Sequence, residues 1–466
     1  MRKILVLGGG PAGYVAAGRA AQLGAAVTLV EERDIGGTCL NRGCIPTKAM
    51  VAGVERLRLA QEAAEFGVLT GEVSLDFDVF MARKDRVTAA LRDGVAHLLK
   101  ARKVEIVADR ATLAGPGRLA LTGGGELTGD AVILATGSEP VRLSLFDWSD
   151  PRVMTSDELL RIDRVPASLV IVGGGVIGCE FASVFSALGT KVTIVEMLDQ
   201  LVPGESKRVA RTVQQAFKKT GIDVFLKTAV EEAGVQTGGG PEVDDDGSGL
   251  RLRLADGREL TTAAVLVAVG RRPVSRGMGL EEAGVQLDER GFVVVDDALH
   301  TTLDGVFAAG DVAGPPMLAH WAYHQGAIAA ENAVTGSRLV CDRSAIPAAM
   351  FSSPEVAVCG LTEERAATEG REVQVAHTRF NSNSKAVIEG DADGFVRIVC
   401  EPGGGRVLVA SIDGPHASEL IHEVVLAIHS RLTLGDIMRT IHAHPTLAEA
   451  VGEASLSGLG RGLHSL

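Results

Sequence analysis

The sequence predicts an α/β protein with two similar parallel-sheet domains and a separate α+β domain at its C-terminus. A strand, a glycine turn, a helix and a second strand follow one another at residues 4–31 and again at 169–196. From about residue 341 the pattern changes to alternating strands combined with helices. A chain of 466 residues is too long for one ordinary hydrophobic core. We expect four domains, at residues 1–141, 142–270, 271–340 and 341–466.

The composition favours a cytoplasmic protein and argues against a nucleic-acid binder. Hydrophobic residues make up 46% of the chain and aromatic residues only 4%, so the cores must consist mostly of Ala, Val, Leu and Ile. The formal net charge of −13 disfavours binding to a polyanion. No apolar run reaches the roughly 18 residues that a membrane span needs. The N-terminal apolar stretch continues directly into a glycine motif, which is not the pattern of a secretory signal.

The repeated segment predicts two Rossmann-like dinucleotide-binding units. Eleven of the 28 aligned positions are identical, without a gap. In such a motif the first glycine permits a tight turn, the second lets the backbone approach a pyrophosphate, and the third lets the helix pack on the strand. The pyrophosphate then lies at the helix N-terminus, where free N–H groups favour an anion. The glycines are Gly8, Gly10 and Gly13 in the first unit and Gly173, Gly175 and Gly178 in the second.

A glutamate ends the second strand of each unit. Glu31 and Glu196 each follow the first glycine of their motif by 23 residues, where a carboxylate can accept hydrogen bonds from ribose hydroxyls. A 2′-phosphate would require a basic residue near the second glutamate, but Met197 and Leu198 follow it. The sequence therefore predicts two bound dinucleotides and favours NAD over NADP in the second unit.

The remaining segments complete these domains. Helical spacing of apolar residues predicts two helices within 49–100, and short strands follow near 104–122. Buried strands at 131–138 and 263–270 are expected to close the two sheets. The glycine- and aspartate-rich stretch 237–249 is interpreted as a solvated hairpin loop, with a calcium loop as the alternative.

Two cysteines lie five positions apart in GGTCLNRGCIPTK, residues 36–48. Six cysteines are too few for a disulfide scaffold. A zinc site needs three or four ligands, and neither a second cysteine pair nor a histidine lies nearby. Two independent buried thiols remain possible. A spacing of five in a regular helix is roughly 8 Å, too long for a disulfide, so closure requires a distorted first turn. Gly43 allows that distortion, and a thiolate at a helix N-terminus has a lowered pKa.

The cysteine motif closely resembles the redox-active motif of the flavoprotein pyridine-nucleotide disulfide reductases, and among them that of the dihydrolipoamide dehydrogenases. Thr47 stands where those proteins usually have serine. The resemblance extends over essentially the whole chain. It includes ATGS (135–138), GGGVIGCEFA (173–182), VAVGRRP (267–273), GDVAGPPMLAH (310–320), SSPEVAVCGLTE (352–363) and HAHPTLAEA (442–450).

This resemblance implies an FAD site in the first unit and an NAD site in the second, with residues 271–340 completing the FAD site. The implied FAD residues are Gly8, Gly10, Gly13, Glu31, Thr38, Lys48, Ala111, Thr136, Gly137, Ser138, Asp311, Met317, Leu318, Ala319 and His320. Ala111 stands where the family often has a glycine. The implied NAD residues are Gly173, Gly175, Gly178, Glu180, Glu196, Val230 and Gly270.

The resemblance also divides the catalytic roles. It implies that Cys39 exchanges with the substrate disulfide and that Cys44 passes electrons to the flavin. It implies a lysine–glutamate pair near the flavin, here Lys48 and Glu180. The remaining cysteines, Cys179, Cys341, Cys359 and Cys400, are interpreted as packed thiols.

A histidine near the C-terminus is the candidate base. Thiol–disulfide exchange needs a base with a pKa near ambient pH, which suits histidine. His444 has Glu449 five residues later, a carboxylate that can orient the imidazole ring. His442 is interpreted as a structural neighbour. In the family this histidine comes from the second subunit, so the resemblance implies a homodimer with residues 341–466 at its interface.

The implied activity is oxidation of dihydrolipoyl-lysine through a redox-active disulfide, FAD and NAD+. The implied partners are a lipoyl-bearing acyltransferase subunit of a 2-oxoacid dehydrogenase complex or a glycine-cleavage carrier protein. The alternatives are a related NAD(P)H-dependent disulfide or metal-ion reductase, and a redox-silent flavoprotein that serves as a scaffold or NAD sensor. No metal site is expected.

Overall fold

The computed structural model describes residues 1–237, 243, 248–360, 370 and 372–464. Most of the stretch 237–249 and residues 361–363 of one family motif lie outside these residues. Contacts divide the chain into two compact units. The first comprises Met1–Arg142, Thr155–Asp163 and Gly270–Cys341; the second comprises Leu143–Met154, Arg164–Val269 and Asp342–Leu466. The predicted boundaries of the four domains remain a prediction.

The strands are β1 Lys3–Leu7, β2 Ala26–Glu31, β3 Glu105–Ala108, β4 Ala111–Gly115, β5 Arg118–Leu121, β6 Glu126–Thr128, β7 Ala131–Leu134, β8 Ser138–Pro140, β9 Val153–Met154, β10 Ser168–Val172, β11 Lys191–Glu196, β12 Asp223–Leu226, β13 Val230–Thr237, β14 Ser248–Leu254, β15 Glu259–Thr262, β16 Ala264–Val267, β17 Arg271–Pro273, β18 Val306–Ala308, β19 Pro347–Met350, β20 Val356–Gly360, β21 Gln374–Arg379, β22 Phe395–Cys400 and β23 Val407–Asp413.

The helices are α1 Pro11–Gln22, α2 Gly37–Arg42, α3 Cys44–Glu62, α4 Phe77–Ala101, α5 Ser156–Leu159, α6 Val176–Ala187, α7 Lys207–Lys219, α8 Leu280–Ala283, α9 Ala319–Thr335, α10 Ser384–Glu389, α11 Ala417–His429, α12 Leu434–Arg439 and α13 Glu449–Gly458.

The first unit is built on a five-stranded parallel sheet in the order β18-β7-β1-β2-β3. Residues Ile4, Leu5 and Val6 of β1 are fully buried because both faces of this sheet are covered. Ile4 and Val6 pack with α1 and α9, whereas Leu5 packs with the antiparallel sheet β4-β5-β6. Strands β8 and β17 form a small antiparallel pair beside them.

The second unit repeats this parallel architecture, in the order β12-β11-β10-β16-β9. Lys3 pairs with Ala26 in the first sheet, and Ser168 pairs with Lys191 in the second. These are equivalent positions of the sequence repeat, so the two parallel sheets pair their first two strands in the same register. The antiparallel sheet β13-β14-β15 covers one face of the second sheet.

The C-terminal part of the second unit is the expected α+β structure. Its five strands form a sheet in the order β19-β20-β23-β22-β21, with all pairs antiparallel. Helices α11, α12 and α13 pack with the sheet around buried side chains such as Ile412, Ile421 and Val451. Within the described residues, no helix is long and apolar enough to cross a membrane.

Candidate active site

The first glycine turn joins β1 to α1; its backbone is tightly packed at Gly8 and Gly13 and open at Gly10. Gly8 has φ +103°, and a Cβ there would lie 2.3 Å from the Ala135 carbonyl oxygen. A Cβ on Gly13 would lie 1.8 Å from the Gly8 carbonyl oxygen, so only glycine lets α1 pack this closely. At Gly10 the nearest atom to an added Cβ is the Gly37 Cα, 3.9 Å away. Gly8 and Gly13 therefore have no room for a side chain, whereas Gly10 leaves open the space in which the motif predicts a pyrophosphate.

The second glycine turn, between β10 and α6, has the same geometry. Gly173 has φ +110°, and a Cβ on Gly178 would lie 2.1 Å from the Gly173 carbonyl oxygen. A Cβ on Gly175 would meet no atom within 4 Å. No side chain caps α1 or α6, whose first turns begin at Gly10 and Gly175. Both turns thus offer backbone N–H groups and space for a phosphate, which fits the binding of two dinucleotides.

The glutamate after each β-α-β segment braces its glycine turn. Glu31 Oε2 accepts the Gly9 N–H at 2.7 Å, and Glu196 Oε2 accepts the Gly174 N–H at 2.6 Å. Each carboxylate therefore lies beside the turn, as a ribose-binding acid must. Val230 begins β13 and is buried, and Gly270, with φ +117°, lies just after β16. Their role in NAD binding stays a prediction.

The two cysteines lie on two helices that meet at Gly43. Helix α2 ends at Arg42 and α3 begins at Cys44, while Gly43 takes φ −147° and ψ −108° between them. Because the helix is broken at Gly43, the two cysteines are not held at the roughly 8 Å separation of residues five positions apart in one regular helix. The Cys39 and Cys44 side chains share a hydrogen bond, and both thiols are partly buried. The turn thus places the two sulfur atoms together.

The pKa of the Cys39 thiol is raised, contrary to the lowering expected at a helix N-terminus. The hydrogen bond with Cys44 is the main cause, followed by burial, while the positive charge of Lys48 acts in the opposite direction. The hydrogen-bonded dithiol therefore holds its protons, and its deprotonation requires a base.

A second group of predicted residues surrounds the start of β8 in the first unit. The Ser138 hydroxyl donates to Asp311 Oδ2 at 2.5 Å and accepts from Arg271 Nε at 2.7 Å. Thr136 Oγ1 donates to the Val274 carbonyl oxygen at 2.5 Å, and Gly137 between them has φ +75°. The structure thus joins Ser138 and Asp311, which are 173 positions apart in sequence.

The other predicted FAD residues of this unit have separate positions. Thr38 and Lys48 lie in α2 and α3, on either side of the cysteine pair. Ala111 is buried in β4, packed with the apolar residues under the parallel sheet. Residues 317–320 (Met317, Leu318, Ala319 and His320) lead into α9 and include its first two positions. Their contact with a flavin stays a prediction.

Two tyrosines near the cysteine pair were not identified from the sequence. Tyr14 of α1 and Tyr323 of α9 are the only tyrosines of the chain. Their ring centroids are 5.8 Å apart, and their hydroxyls share a hydrogen bond. Burial raises the pKa of both hydroxyls, and the neighbouring Cys39 acts in the same direction. The sequence did contain a signal for them. The chain has only two tyrosines, and Tyr14 directly follows the first glycine motif while Tyr323 closely follows residues 317–320.

The helices α1 and α9 bring these tyrosines together by close packing. A Cβ on Gly326 would lie 2.3 Å from the Ala12 carbonyl oxygen, so α9 approaches α1 at glycine. The Gly37 Cα position lies against Gly10 in the same way, which brings α2 and its cysteine to the N-terminus of α1. The three helices therefore converge at the cysteine pair.

The predicted pairing of the histidine base His444 with Glu449 is formed in the second unit. His444 Nδ1 lies 2.9 Å from Glu449 Oε1, and Glu449 Oε2 accepts the Thr446 N–H at 2.9 Å. Burial alone would raise the pKa of Glu449, but the Thr446 N–H and His444 lower it. The His444 side chain is 70% exposed, so its other ring nitrogen is accessible. The arrangement keeps a negative charge beside the imidazole ring.

His442 has a different environment from His444. Its Nε2 lies 3.0 Å from Glu423 Oε1, and its side chain is only 11% exposed. It therefore supports the loop, as expected of a structural neighbour. Glu180 is buried in α6, where its Oε1 accepts the Phe351 N–H at 2.9 Å. Lys48 belongs to the first unit and Glu180 to the second, and their pairing stays a prediction.

The other four cysteines differ in burial. Cys179, Cys359 and Cys400 are buried, whereas Cys341 is partly buried. Cys179 Sγ donates to the Gly174 carbonyl oxygen at 3.4 Å, inside the second glycine turn. Among the side chains that the structure describes, no group of three or more His, Cys, Asp and Glu could hold a metal ion.

Two family models together match most of the chain. The model described as pyridine nucleotide-disulphide oxidoreductase matches residues 2–326. The chain belongs to this family. The model of the family's dimerisation domain matches residues 346–455. Membership of the pyridine nucleotide-disulphide oxidoreductases confirms the α/β fold with a C-terminal dimerisation domain.

Curated relatives of this oxidoreductase cover it almost completely. The dihydrolipoyl dehydrogenase of Haloferax volcanii is 42% identical over 100% of this chain and 98% of its own. Those of Geobacillus stearothermophilus and Chlamydia muridarum are 40% and 39% identical, each over 99% of this chain and 97% of their own.

Solved structures show the same fold. LpdA from Mycobacterium tuberculosis superposes with a TM-score of 0.88 at 28% identity, covering 98% of this chain and 99% of its own. The HOCl-induced flavoprotein disulfide reductase RclA from Escherichia coli superposes with a TM-score of 0.86 at 28% identity, covering 97% and 98%.

Proposed function

We propose that this chain is an FAD-dependent dihydrolipoyl dehydrogenase, which oxidises dihydrolipoyl-lysine to lipoyl-lysine and reduces NAD+ to NADH. The observation that carries the proposal is the pairing of Cys39 and Cys44 at a helix break, next to the first glycine turn. The names of the full-length relatives support the same activity.

The sulfur chemistry begins with the Cys39–Cys44 disulfide. One thiolate of the dihydrolipoyl group attacks the Cys39 sulfur, and the Cys44 thiolate leaves. The second dihydrolipoyl sulfur then attacks the first, releasing the lipoyl disulfide and the Cys39 thiolate. The cysteine pair gains the two electrons that the substrate loses, as two thiolates, and the two protons of the substrate pass through the proposed base His444 to solvent.

Bound FAD supplies two-electron transfer between a dithiol and a nicotinamide. The glycine turn formed by Gly8, Gly10 and Gly13 is the proposed site of its pyrophosphate, and Glu31 is the proposed contact to its ribose. Ser138 and Asp311 share a hydrogen bond, and together with Thr136 and residues 317–320 they are the proposed contacts to the rest of FAD. Lys48 is the residue proposed to supply a positive charge to the reduced flavin, with Glu180 as its proposed partner.

The second glycine turn is the proposed NAD+ site. The pyrophosphate is proposed to lie at Gly175, in the turn that Gly173 and Gly178 make possible, and Glu196 to accept hydrogen bonds from the ribose. Met197 and Leu198, which follow this acid, are 71% and 46% exposed apolar side chains. They provide no positive charge for a 2′-phosphate, which supports NAD+ as the acceptor.

His444 is the proposed base for the dihydrolipoyl thiols. Glu449 orients its ring through Nδ1 and stabilises the imidazolium that forms when His444 takes a proton. The chain is proposed to act as a homodimer through residues 341–466, with His444 of each subunit serving the cysteine pair of the other. The matched dimerisation domain supports this assembly.

The lipoyl group is proposed to come from a partner protein in the cytoplasm. The candidates are the acyltransferase subunit of a 2-oxoacid dehydrogenase complex and a glycine-cleavage carrier protein. The net charge of −13 suits a basic docking domain on that partner.

The test is an anaerobic absorption spectrum of the FAD-loaded protein during titration with dihydrolipoamide and then NAD+. We expect a long-wavelength thiolate-to-flavin band that disappears when NAD+ is added, and Cys44→Ser serves as the control that cannot form it. A flavin that only NADPH reduces would instead indicate the related disulfide or metal-ion reductase, and an unreactive cysteine pair would indicate a redox-silent protein. Failure to bind FAD would contradict the assignment of the first glycine turn.

A further inference from the structure

Arg42, which lies between the two cysteines in sequence, is almost completely buried. Its side chain is 9% exposed, and Arg42 is the last residue of helix α2. Its Nη1 lies 3.4 Å from Asp34 Oδ2, and its Nε lies 3.6 Å from Asp157 Oδ2. Asp34 precedes α2 in the same loop, whereas Asp157 belongs to α5. One guanidinium group therefore connects the cysteine turn to a distant segment of the first unit.

Helix α2 depends on such external connections. A helix of six residues is not stable by itself in water, because nucleation is costly and few hydrogen bonds form. Asn41 Nδ2 donates to the carbonyl oxygens of Ile35 and Gly37, both at 3.0 Å, but these bonds remain inside the loop. The Arg42–Asp157 ion pair instead fixes the last residue of α2 to another element.

Asp157 is shared between this ion pair and the group around Ser138. Burial raises the pKa of Asp157, and the positive charges of Arg271 and Arg42 oppose that effect. Arg271 Nη2 also donates to the Ser138 carbonyl oxygen at 2.7 Å, and Ser138 donates to Asp311. A series of alternating charges therefore runs from the cysteine turn to the proposed FAD residues.

We propose that Arg42 and Asp157 are positioning residues that hold Cys39 beside Cys44 and thereby determine how readily the pair forms its disulfide. A disulfide requires Cα atoms about 4.4–6.8 Å apart, a distance that a movement of α2 relative to α3 would change. The closure equilibrium measures the effective concentration of one thiol at the other. A less firmly held α2 lowers that concentration and makes the disulfide easier to reduce.

This inference rests on the disulfide chemistry of the proposed function, but it does not depend on the lipoyl substrate. The test reaction is exchange with dithiothreitol. Cys39 and Cys44 lose two electrons and two protons as their S–S bond forms, and oxidised dithiothreitol gains both as its own S–S bond breaks. The FAD-loaded protein is equilibrated at graded ratios of the two dithiothreitol forms, and the free thiols are alkylated and counted by mass spectrometry.

The informative variant is Asp157→Asn, which keeps the shape of the side chain and removes its charge. We expect its closure constant to fall roughly tenfold, which corresponds to a reduction potential about 30 mV more positive. The matched control is Glu32→Gln, which makes the same change of net charge at an exposed position near the cysteine loop. Arg42→Lys should shift the constant in the same direction, because lysine lacks the planar fork that reaches two carboxylates.

Each outcome decides the proposal. A closure constant that Asp157→Asn leaves at the wild-type value would overturn it, even if thermal stability falls. If Asp157→Asn does not retain FAD, Arg42→Lys decides in its place, and failure of both variants to fold would make the pair a folding requirement and would equally overturn the proposal. A wild-type pair that never closes would instead contradict the proposed function. A pair that closes but does not accept electrons from dihydrolipoamide would contradict only the proposed substrate.

Discussion

The two open glycines, Gly10 and Gly175, allow the two proposed dinucleotide sites to be tested separately. At Gly175 the backbone is extended, with φ −74° and ψ −176°, and an added Cβ would meet no atom within 4 Å. Alanine therefore fits the folded protein at this position. Its methyl group would occupy the space through which the proposed NAD+ pyrophosphate approaches the N-terminus of α6. Gly175→Ala is thus expected to weaken NAD+ binding without loss of the fold.

The magnitude follows from the hydrogen bonds that the methyl group would prevent. A hydrogen bond to a charged group contributes about 1.5–3 kcal/mol, so the loss of one bond weakens NAD+ binding roughly 10- to 140-fold. Alanine in place of glycine at a helix N-cap costs about 1 kcal/mol or less in the free energy of unfolding. At Gly178, by contrast, the added Cβ would overlap the Gly173 carbonyl oxygen at 2.1 Å. Gly178→Ala should therefore cost about 1–3 kcal/mol of folding free energy.

The assay combines NAD+ titration, steady-state kinetics and chemical unfolding. Gly175→Ala should raise KM for NAD+ and leave KM for dihydrolipoamide and the FAD content unchanged. Gly10→Ala is the reciprocal control, since it should reduce FAD retention. Wild-type NAD+ affinity in a folded Gly175→Ala protein would refute the assignment of this turn, and with it the role given to Glu196.

Three further predictions concern the proposed base, the tyrosine pair and one buried carboxyl group. His444→Gln should lower kcat roughly 10²-fold or more; Glu449→Gln should lower it less, because the base remains but loses the carboxylate that orients its ring, and an unchanged kcat would contradict this. Tyr323→Phe removes one hydroxyl of the hydrogen-bonded tyrosine pair beside Cys39, which makes the surroundings of the Cys39 thiolate less polar, so alkylation of Cys39 by iodoacetamide should slow roughly 2- to 12-fold; Tyr14→Phe is the comparison, and unchanged rates in both would exclude the role. Burial raises the pKa of Asp413 to about 7 in the folded protein, above its ordinary value of 3.8. The neutral Asp413 carboxyl group therefore contributes folding stability below about pH 3.8, and this contribution is lost as the pH rises to about 7, because the unfolded chain ionises first. Asp413→Asn should flatten the dependence of Tm on pH over that range, and an unchanged slope would refute the assignment.

Local sequence patterns predicted the parallel-sheet units and their glycine turns. The glycines at Gly8 and Gly173 have positive φ values, a backbone conformation that side chains with a Cβ rarely adopt, so their identity follows from local geometry. The register of β1 with β2 and of β10 with β11 is the same in both units. Such features depend on residues close together in the chain, and one sequence is enough to reveal them.

Contacts between distant segments were not predictable from spacing alone. Tyr14 meets Tyr323 only because α9 packs on α1 at Gly326. Likewise, the four residues of α5 belong to the first unit although the flanking strands β9 and β10 belong to the second. The spacing of residues within a short segment carries no information about packing between distant segments. Neither the tyrosine pair nor the position of Asp157 could therefore be anticipated.

The sequence by itself determined the two dinucleotide units, the cysteine motif and the histidine with its glutamate, because each is encoded in a short stretch with a defined geometry. Only the tertiary structure decided that Gly43 divides the cysteine segment into two helices and that Arg42 is buried against Asp157 rather than facing water. The physical reason is that burial depends on which distant groups surround a side chain. A charged residue can be buried only where opposite charges from other segments compensate it.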